Sequence, residues 1–244
     1  MLSKEYRPCS PFLFAGEDFG WRLPVPLAEI RPTQMAVGMR SVEAKRQKIQ
    51  RAADSPRKLR RYLEKRLVPA VLGPSEAYYI IDHHHLSLAL LQSDVDEVFV
   101  RVVGDLSYMP KRAFFDAMAA LGWLHAYDTR GRTVCPTRLP SSLAQLRPDR
   151  YRDLAWSVRK TGGFIKTNVP FSEFTWANFF RRHIPESTLT RDFGLAHERA
   201  MRLACSYRAK HLPGTIFKSC RQAATMRQRV RGSSPSVLPT THRL

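Results

Sequence analysis

Acidic residues are scarce in this chain. Its 244 residues hold 21 Asp and Glu against 40 Lys and Arg, a formal net charge of +19. The deficit favours polyanionic partners, namely DNA, RNA, nucleotides or an anionic membrane surface; the plainer reading is a basic, solubilising surface. Cysteine is scarce too. Cys9, Cys135, Cys205 and Cys220 include no C-x-x-C pair, which excludes a zinc ribbon and a thioredoxin-type centre. Their wide spacing suits a reducing compartment, with the thiols acting as small apolar side chains. No stretch approaches the roughly 18 apolar residues of a membrane span. The N-terminus, Met-Leu-Ser-Lys-Glu-Tyr-Arg-Pro8, has no apolar segment of the secretory kind behind it. The expected location is the bacterial cytoplasm, with no membrane partner. A P-loop, a Rossmann glycine pattern, an H-E-x-x-H helix, a nucleophile elbow and internal repeats are all missing.

What is present is ordinary core material: 43% hydrophobic and 10% aromatic residues. That supports one sizeable core, or a small core domain with a helical companion. Residues 1–22 read as an irregular arm. Residues 23–31 alternate and carry prolines, as an edge strand does. From Arg40 to Arg66 there are eleven basic residues and three acids, split by Pro56. Helices are expected at about 41–52 and 56–65, capped by Ser41 and Ser55. Val68–Leu72 and Ala77–Ile81 around Gly73-Pro74-Ser75 read as a hairpin. A buried helix beginning at Leu86 and a strand at 97–103 follow. Beyond Pro110 the pattern turns helical, at 111–121, 141–161, 172–182 and 190–209, with Trp123, Trp156 and Trp176 as core anchors. Residues 216–244 hold six basic residues and no acid, the composition of a disordered tail.

The chemistry concentrates at Asp82-His83-His84-His85, between the Ala77–Ile81 strand and the following helix. A strand turning into a helix presents free backbone N–H groups and the positive end of the helix dipole, a natural phosphate seat. Imidazoles there can donate to phosphate oxygens or transfer protons near neutral pH. Asp82 can fix an imidazole tautomer or bind a divalent metal. The competing reading is a capping Asp with surface histidines. Adjacent side chains cannot all face one point, so His84 and His85 are preferred over His83, and a structural three-His zinc site is not expected. The basic run Arg57, Lys58, Arg60, Arg61 can track a nucleic-acid backbone with salt-dependent affinity, or simply face solvent. Tyr62 within it is a candidate for base stacking. Lys160 and Lys166 flank Gly162-Gly163, a candidate closing loop.

Order and spacing of several segments resemble the family described as putative ParB-like nucleases, within the ParB/sulfiredoxin superfamily. They are Leu27-Ala-Glu-Ile-Arg-Pro-Thr-Gln34, Val37-Gly38-Met39, the helix from Val42 through Lys45 to Ile49, and Tyr79-Ile80-Ile81-Asp82-His83-His84-His85. The likeness continues through Gly122-Trp123, Leu154–Val158, Gly162-Gly163, Lys166-Thr167, Pro170-Phe171, Trp176–Phe180 and His211–Gly214, covering about residues 23–215. It implies an α+β fold: a ParB/sulfiredoxin-like domain at 23–108 and a helical subdomain at 109–215. Asp82, His84 and His85 fall on the superfamily's phosphate motif, while His83 stands where Gly is usual and Leu86 where Arg is usual. The resemblance places Glu29, Arg31 and Gln34 across the same pocket, with Glu29 as base or metal ligand. It likens Lys45 and Lys48 to phosphate-approaching lysines. It implies a nuclease or phosphotransferase with a divalent metal, Mg2+ foremost, and a nucleic acid or nucleotide (ATP or ADP) as partner. The alternatives are a small-molecule kinase or ATPase of the free-serine-kinase type, and a non-catalytic nucleic-acid-binding module. No cysteine is near the motif, which argues against sulfiredoxin activity.

Overall fold

The computed structural model describes residues 22–217 and residue 219. The expected arm, apart from Arg22, and nearly all of the expected basic tail lie outside the described residues. The described residues divide after Asp153 into two compact units. The change of character near residue 109 falls within the first unit.

The first unit is built on a five-stranded sheet of order β1-β6-β4-β5-β2. Its elements are β1 (Arg22–Pro26), β2 (Ile30–Pro32), β3 (Ala36–Val37), α1 (Met39–Ala53), α2 (Pro56–Glu64), β4 (Val68–Leu72), β5 (Tyr78–Ile80), α3 (His84–Leu91), β6 (Glu97–Asp105), α4 (Lys111–Ala120) and β7 (Arg147–Pro148). The expected hairpin is β4–β5, antiparallel, with Ala70 opposite Ile80. The single strand expected at 23–31 is two strands. A 3-10 turn at Leu27–Glu29 interrupts it, so that β1 pairs with β6 and β2 pairs with β5.

That split shapes the sheet. Strands β1 and β2 are its opposite edges, yet only three residues separate them. Four residue steps reach at most about 14 Å, whereas five flat strands span about 19 Å from first to last. The sheet therefore curls until its edges approach. Pro24 and Pro26 are accommodated because β1 is an edge strand.

Alternation along β6 buries Val98, Val100 and Val102 against Val42 and Ile49 of α1 and Leu86, Leu88 and Leu90 of α3. α3 is apolar on nearly every side, and it is buried from Leu86 to Leu90. A second cluster gathers Val71, Leu106, Phe114, Phe115 and Met118, with Trp123 packed against it. Ser55 caps α2 as expected, accepting the Lys58 N–H at 3.4 Å. Ser41 does not cap α1. The helix starts two residues earlier, at Met39 with Gly38 as N-cap, because another chain segment supplies the acceptor. The expected helix at 141–161 forms only as α5 (Arg150–Lys160). Before it, Arg147–Pro148 pairs in parallel with Ala36–Val37, and Asp149 accepts the Tyr151 N–H at 2.9 Å, starting the helix there.

In the second unit α6 (Ser172–His183) matches expectation. The helix expected at 190–209 is instead α7 (Glu186–Arg191) and α8 (Phe193–Ala204), followed by a 3-10 turn. Asp192 breaks it by capping α8, accepting the Leu195 N–H at 2.9 Å. Gly162, at φ +85°, provides the break after α5. Cys205 is disulfide-bonded, which corrects the expectation that every cysteine is a free thiol. Trp176 is the one of the three tryptophans that is fully buried; Trp123 and Trp156 are half-buried. Its ring stacks on Phe164 at 4.2 Å, and its Nε1–H donates to the Pro213 carbonyl at 2.8 Å. Trp176→Ala is expected to cost about 3–5 kcal/mol, and Trp176→Phe about 1–3 kcal/mol through the stranded carbonyl. Urea denaturation followed by circular dichroism checks both values and their order.

Candidate functional site

β5 delivers the chain to Asp82, whose Oδ1 accepts the His83 N–H at 2.6 Å. His83 then takes the left-handed conformation, φ +65° and ψ 19°, and α3 begins at His84. This turn is why glycine suits the position: a Cβ there costs about 1 kcal/mol, somewhat less for His than for bulky residues. The turn leaves Asp82 exposed, His83 and His85 half-buried and His84 buried.

His84 and His85 both reach the segment that follows β2. His84 Nε2 accepts the Thr33 N–H at 3.1 Å, while the Thr33 hydroxyl donates to the Ile80 carbonyl at 2.8 Å. His85 Nε2 accepts the Gly38 N–H at 3.1 Å. A ring nitrogen that accepts from an amide carries no proton, so each neutral imidazole holds its hydrogen on Nδ1. Burial drives the His84 pKa down to about 3. The Asp82 carboxylate opposes the shift, and the charges of Arg152, His83 and His125 deepen it. His84 is thus an uncharged brace, and half-buried His85 stands at the first turn of α3 with its Nε2 committed to the Gly38 N–H.

Other residues join the site from further along the chain. The His125 N–H donates to the Thr33 carbonyl at 2.9 Å, and its ring lies on Tyr127 with centroids 4.5 Å apart. Burial, aided by Arg152, lowers the His125 pKa to about 3 as well. Asp149, Arg152 and Asp153, at the start of α5, are all buried. Asp153 Oδ1 accepts the Arg40 N–H at 2.7 Å. Burial raises the Asp153 carboxyl to about 6; the Arg40 N–H and guanidinium pull the other way, and Asp149 adds to the rise. A Cβ on Gly38 would stand 3.0 Å from Asp153 Oδ1 and 3.1 Å from the Arg152 carbonyl carbon, so only glycine fits without displacement.

The remaining predicted residues sit as follows. Gln34 is buried and donates to the Ala36 carbonyl at 2.9 Å. Arg31 places its guanidinium on the Ala28 and Ile30 carbonyls, at 2.7 and 3.2 Å. Glu29 is exposed, and among the described residues no hydrogen bond or ion pair ties it to the histidines. On α1, Lys45 is half-buried and Lys48 exposed. On α2, Arg57, Lys58, Arg60 and Arg61 are all exposed, Arg60 pairing with Glu64 at 2.9 Å. Tyr62 packs on the core with the Arg66 guanidinium 3.8 Å from its ring centroid, so its ring is engaged within the protein rather than offered to a base. Lys160 and Lys166, in the second unit, are exposed. Leu86 is buried in the core, so α3 carries no guanidinium at that position. Among the described residues no group of three or more His, Cys, Asp and Glu converges as metal ligands. A Mg2+-type ion needs less, since one or two carboxylates with substrate phosphates and water suffice, and exposed Asp82 fits that pattern.

The family described as "Putative ParB-like nuclease" matches residues 23–182, spanning the strands, the histidine motif and α5. The chain belongs to this family. The crystal structure of protein Atu1540 from Agrobacterium tumefaciens is similar at 36% identity and a TM-score of 0.72, over 80% of this chain and 97% of that one. No curated protein matches the chain. The family's fold is present as expected from the sequence, a mixed α/β core with helices following it. Among the described residues no helix is long and apolar enough to cross a membrane. Thr33 and Gly38 stand in segments that carry the family resemblance but have no role assigned by it, and no local pattern marks His125, Arg152 or Asp153. Only Asp149, a polar residue before a helix, left a local signal of the site's second half.

Two outcomes follow from this geometry. His83→Gly is expected to exceed His83→Ala in stability by about 1 kcal/mol, because only the left-handed turn separates them; urea midpoints decide it. Acidification is expected to destabilise the fold. For His84 and His125 the folded pKa lies below the unfolded 6.5, so their stabilisation is complete above pH 6.5 and is lost as the pH falls toward 3. Each contributes a slope of at most about 1.4 kcal/mol per pH unit. Asp153 acts oppositely: its folded pKa is raised from 3.8 to about 6, so its contribution is complete below the former and lost as the pH rises through the latter. Two histidines against one carboxylate leave a net loss between pH 6.5 and 4, and His125→Asn should reduce that slope in denaturation measured at each pH.

Proposed function

We propose that this protein is a phosphodiester-cleaving enzyme acting on DNA or RNA, with the scissile phosphate seated at the first turn of α3. The observation that supports the reading is the placement of exposed Asp82 and half-buried His85 at that helix start, with His85 Nε2 accepting the Gly38 N–H. The helix terminus favours an anion, and the imidazole N–H is a donor for a phosphoryl oxygen or the leaving oxygen. His84 makes no contact with substrate; it braces Thr33.

In hydrolysis a water oxygen attacks phosphorus while the bond to the departing sugar oxygen breaks in line, and charge grows on the phosphoryl oxygens. Asp82 would hold a divalent ion, which would supply charge neutralisation. His85 orients the phosphoryl group through Nδ1–H, and Asp82 orients the turn through the His83 N–H. The exposed Arg57, Lys58 and Arg61 of α2 supply backbone contacts that do not depend on sequence. A net charge of +19 supports such a partner.

Purified protein incubated with supercoiled plasmid and Mg2+ tests the reading. Nicking is expected, reduced about 10²- to 10³-fold by Asp82→Asn or His85→Ala. Unreduced cleavage by the double variant would remove the motif from the chemistry. Binding to labelled duplex should weaken with salt, and Lys58→Ala with Arg61→Ala should lower the log–log slope by about 2.

A further inference from the structure

Gly38 joins β3 to α1, and it is the residue whose N–H fixes His85. Its own position is set from α5 and the segment that leads into it. The Asp149 N–H donates to the Val37 carbonyl at 2.9 Å, and Arg147–Pro148 pairs with Ala36–Val37. Asp153 reaches past Gly38, within 3.0 Å of where a Cβ would stand, to take the Arg40 N–H at 2.7 Å. α1 lacks a side-chain cap from its own N-cap residue, and Asp153 supplies one from across the fold.

We propose that Asp153 is a positioning residue of the histidine motif. By holding the first turn of α1 through the Arg40 N–H, it keeps the Gly38 N–H on His85 Nε2 and fixes His85 with its hydrogen on Nδ1. The path has two hydrogen bonds joined by backbone: Asp153 Oδ1 to Arg40 N–H, the two-residue turn back to Gly38, and Gly38 N–H to His85 Nε2. Glycine at 38 is part of the device, since any side chain would push against Asp153 and the Arg152 backbone. His84 is held through a separate contact, Thr33, which Asp153 does not touch. The effect on turnover rests on the nuclease reading; the effect on His85 does not.

Nitrogen-15 NMR of the histidine rings at pH 7.5 reads the tautomers directly. In the unaltered protein both His84 and His85 are expected with the proton on Nδ1. In Asp153→Ala, His85 should shift toward the Nε2–H tautomer that free imidazole side chains prefer, while His84 keeps its signature and reports an intact fold. Plasmid nicking should fall about tenfold to a hundredfold. Asp153→Asn, which retains an acceptor for the Arg40 N–H, should return both readouts toward those of the unaltered protein. Gly38→Ala should reproduce the His85 shift with Asp153 in place. An unchanged His85 tautomer in Asp153→Ala, with His84 also unchanged, overturns the proposal. If that variant loses the His84 signature through misfolding, an unchanged His85 in Gly38→Ala overturns it instead. A tautomer shift in a protein that nicks nothing would sustain the positioning role and remove the nuclease reading.

Discussion

Two backbone amides hydrogen-bonded to two imidazoles hold this site together. The Thr33 and Gly38 N–H groups lie in a segment with little secondary structure of its own, and both are buried. A buried amide without an acceptor costs a few kcal/mol at most sites. Here the acceptors are His84 and His85 Nε2, on consecutive residues of one helix turn. That requirement sets the tautomer of both rings, keeps His84 uncharged and explains how a histidine can be buried within a cationic protein. It also separates the two rings of the motif: His84 is buried and His85 is half-buried at the first turn of α3.

The sheet makes those bonds possible. β2 runs parallel to β5 with Pro32 opposite Ile80, so Thr33 emerges level with the turn that leads into α3. This register requires β2 to occupy the far edge of the sheet from β1, although the two strands are separated by one 3-10 turn. Curling of the sheet satisfies both conditions, and the motif lies where the parallel pair ends. The left-handed turn at His83 then swings α3 so that its first residues face back toward the 33–38 segment.

The charge pattern has two layers. On the surface, α2 carries arginines and lysines that face solvent, suited to a polyanion and costing little in stability. Beneath the motif, Arg152, Asp149 and Asp153 are buried at the start of α5, next to two histidines kept neutral by burial. Buried charges are retained where partners satisfy them. The carboxylate of Asp153 is one such case, since it closes the open end of α1.

The sequence by itself determined the local elements: the hairpin around Gly73-Pro74, the cap at Ser55, α4, α6 and the strand-to-helix entry at Asp82. Each follows from signals within a few residues, such as alternation, a proline, a capping hydroxyl or an apolar run. It also placed the motif, because a strand followed by Asp-His-His-His and an apolar helix is a local pattern. Only the tertiary structure decided that residues 23–31 divide between two sheet edges, that Gly38 rather than Ser41 opens α1, and that His84 is a brace. The same holds for Asp153, more than 110 residues from the Arg40 N–H it accepts. These outcomes depend on hydrogen-bond partners supplied from distant segments, and a backbone amide is identical in every residue, so no side-chain pattern along the chain could announce which imidazole would receive it.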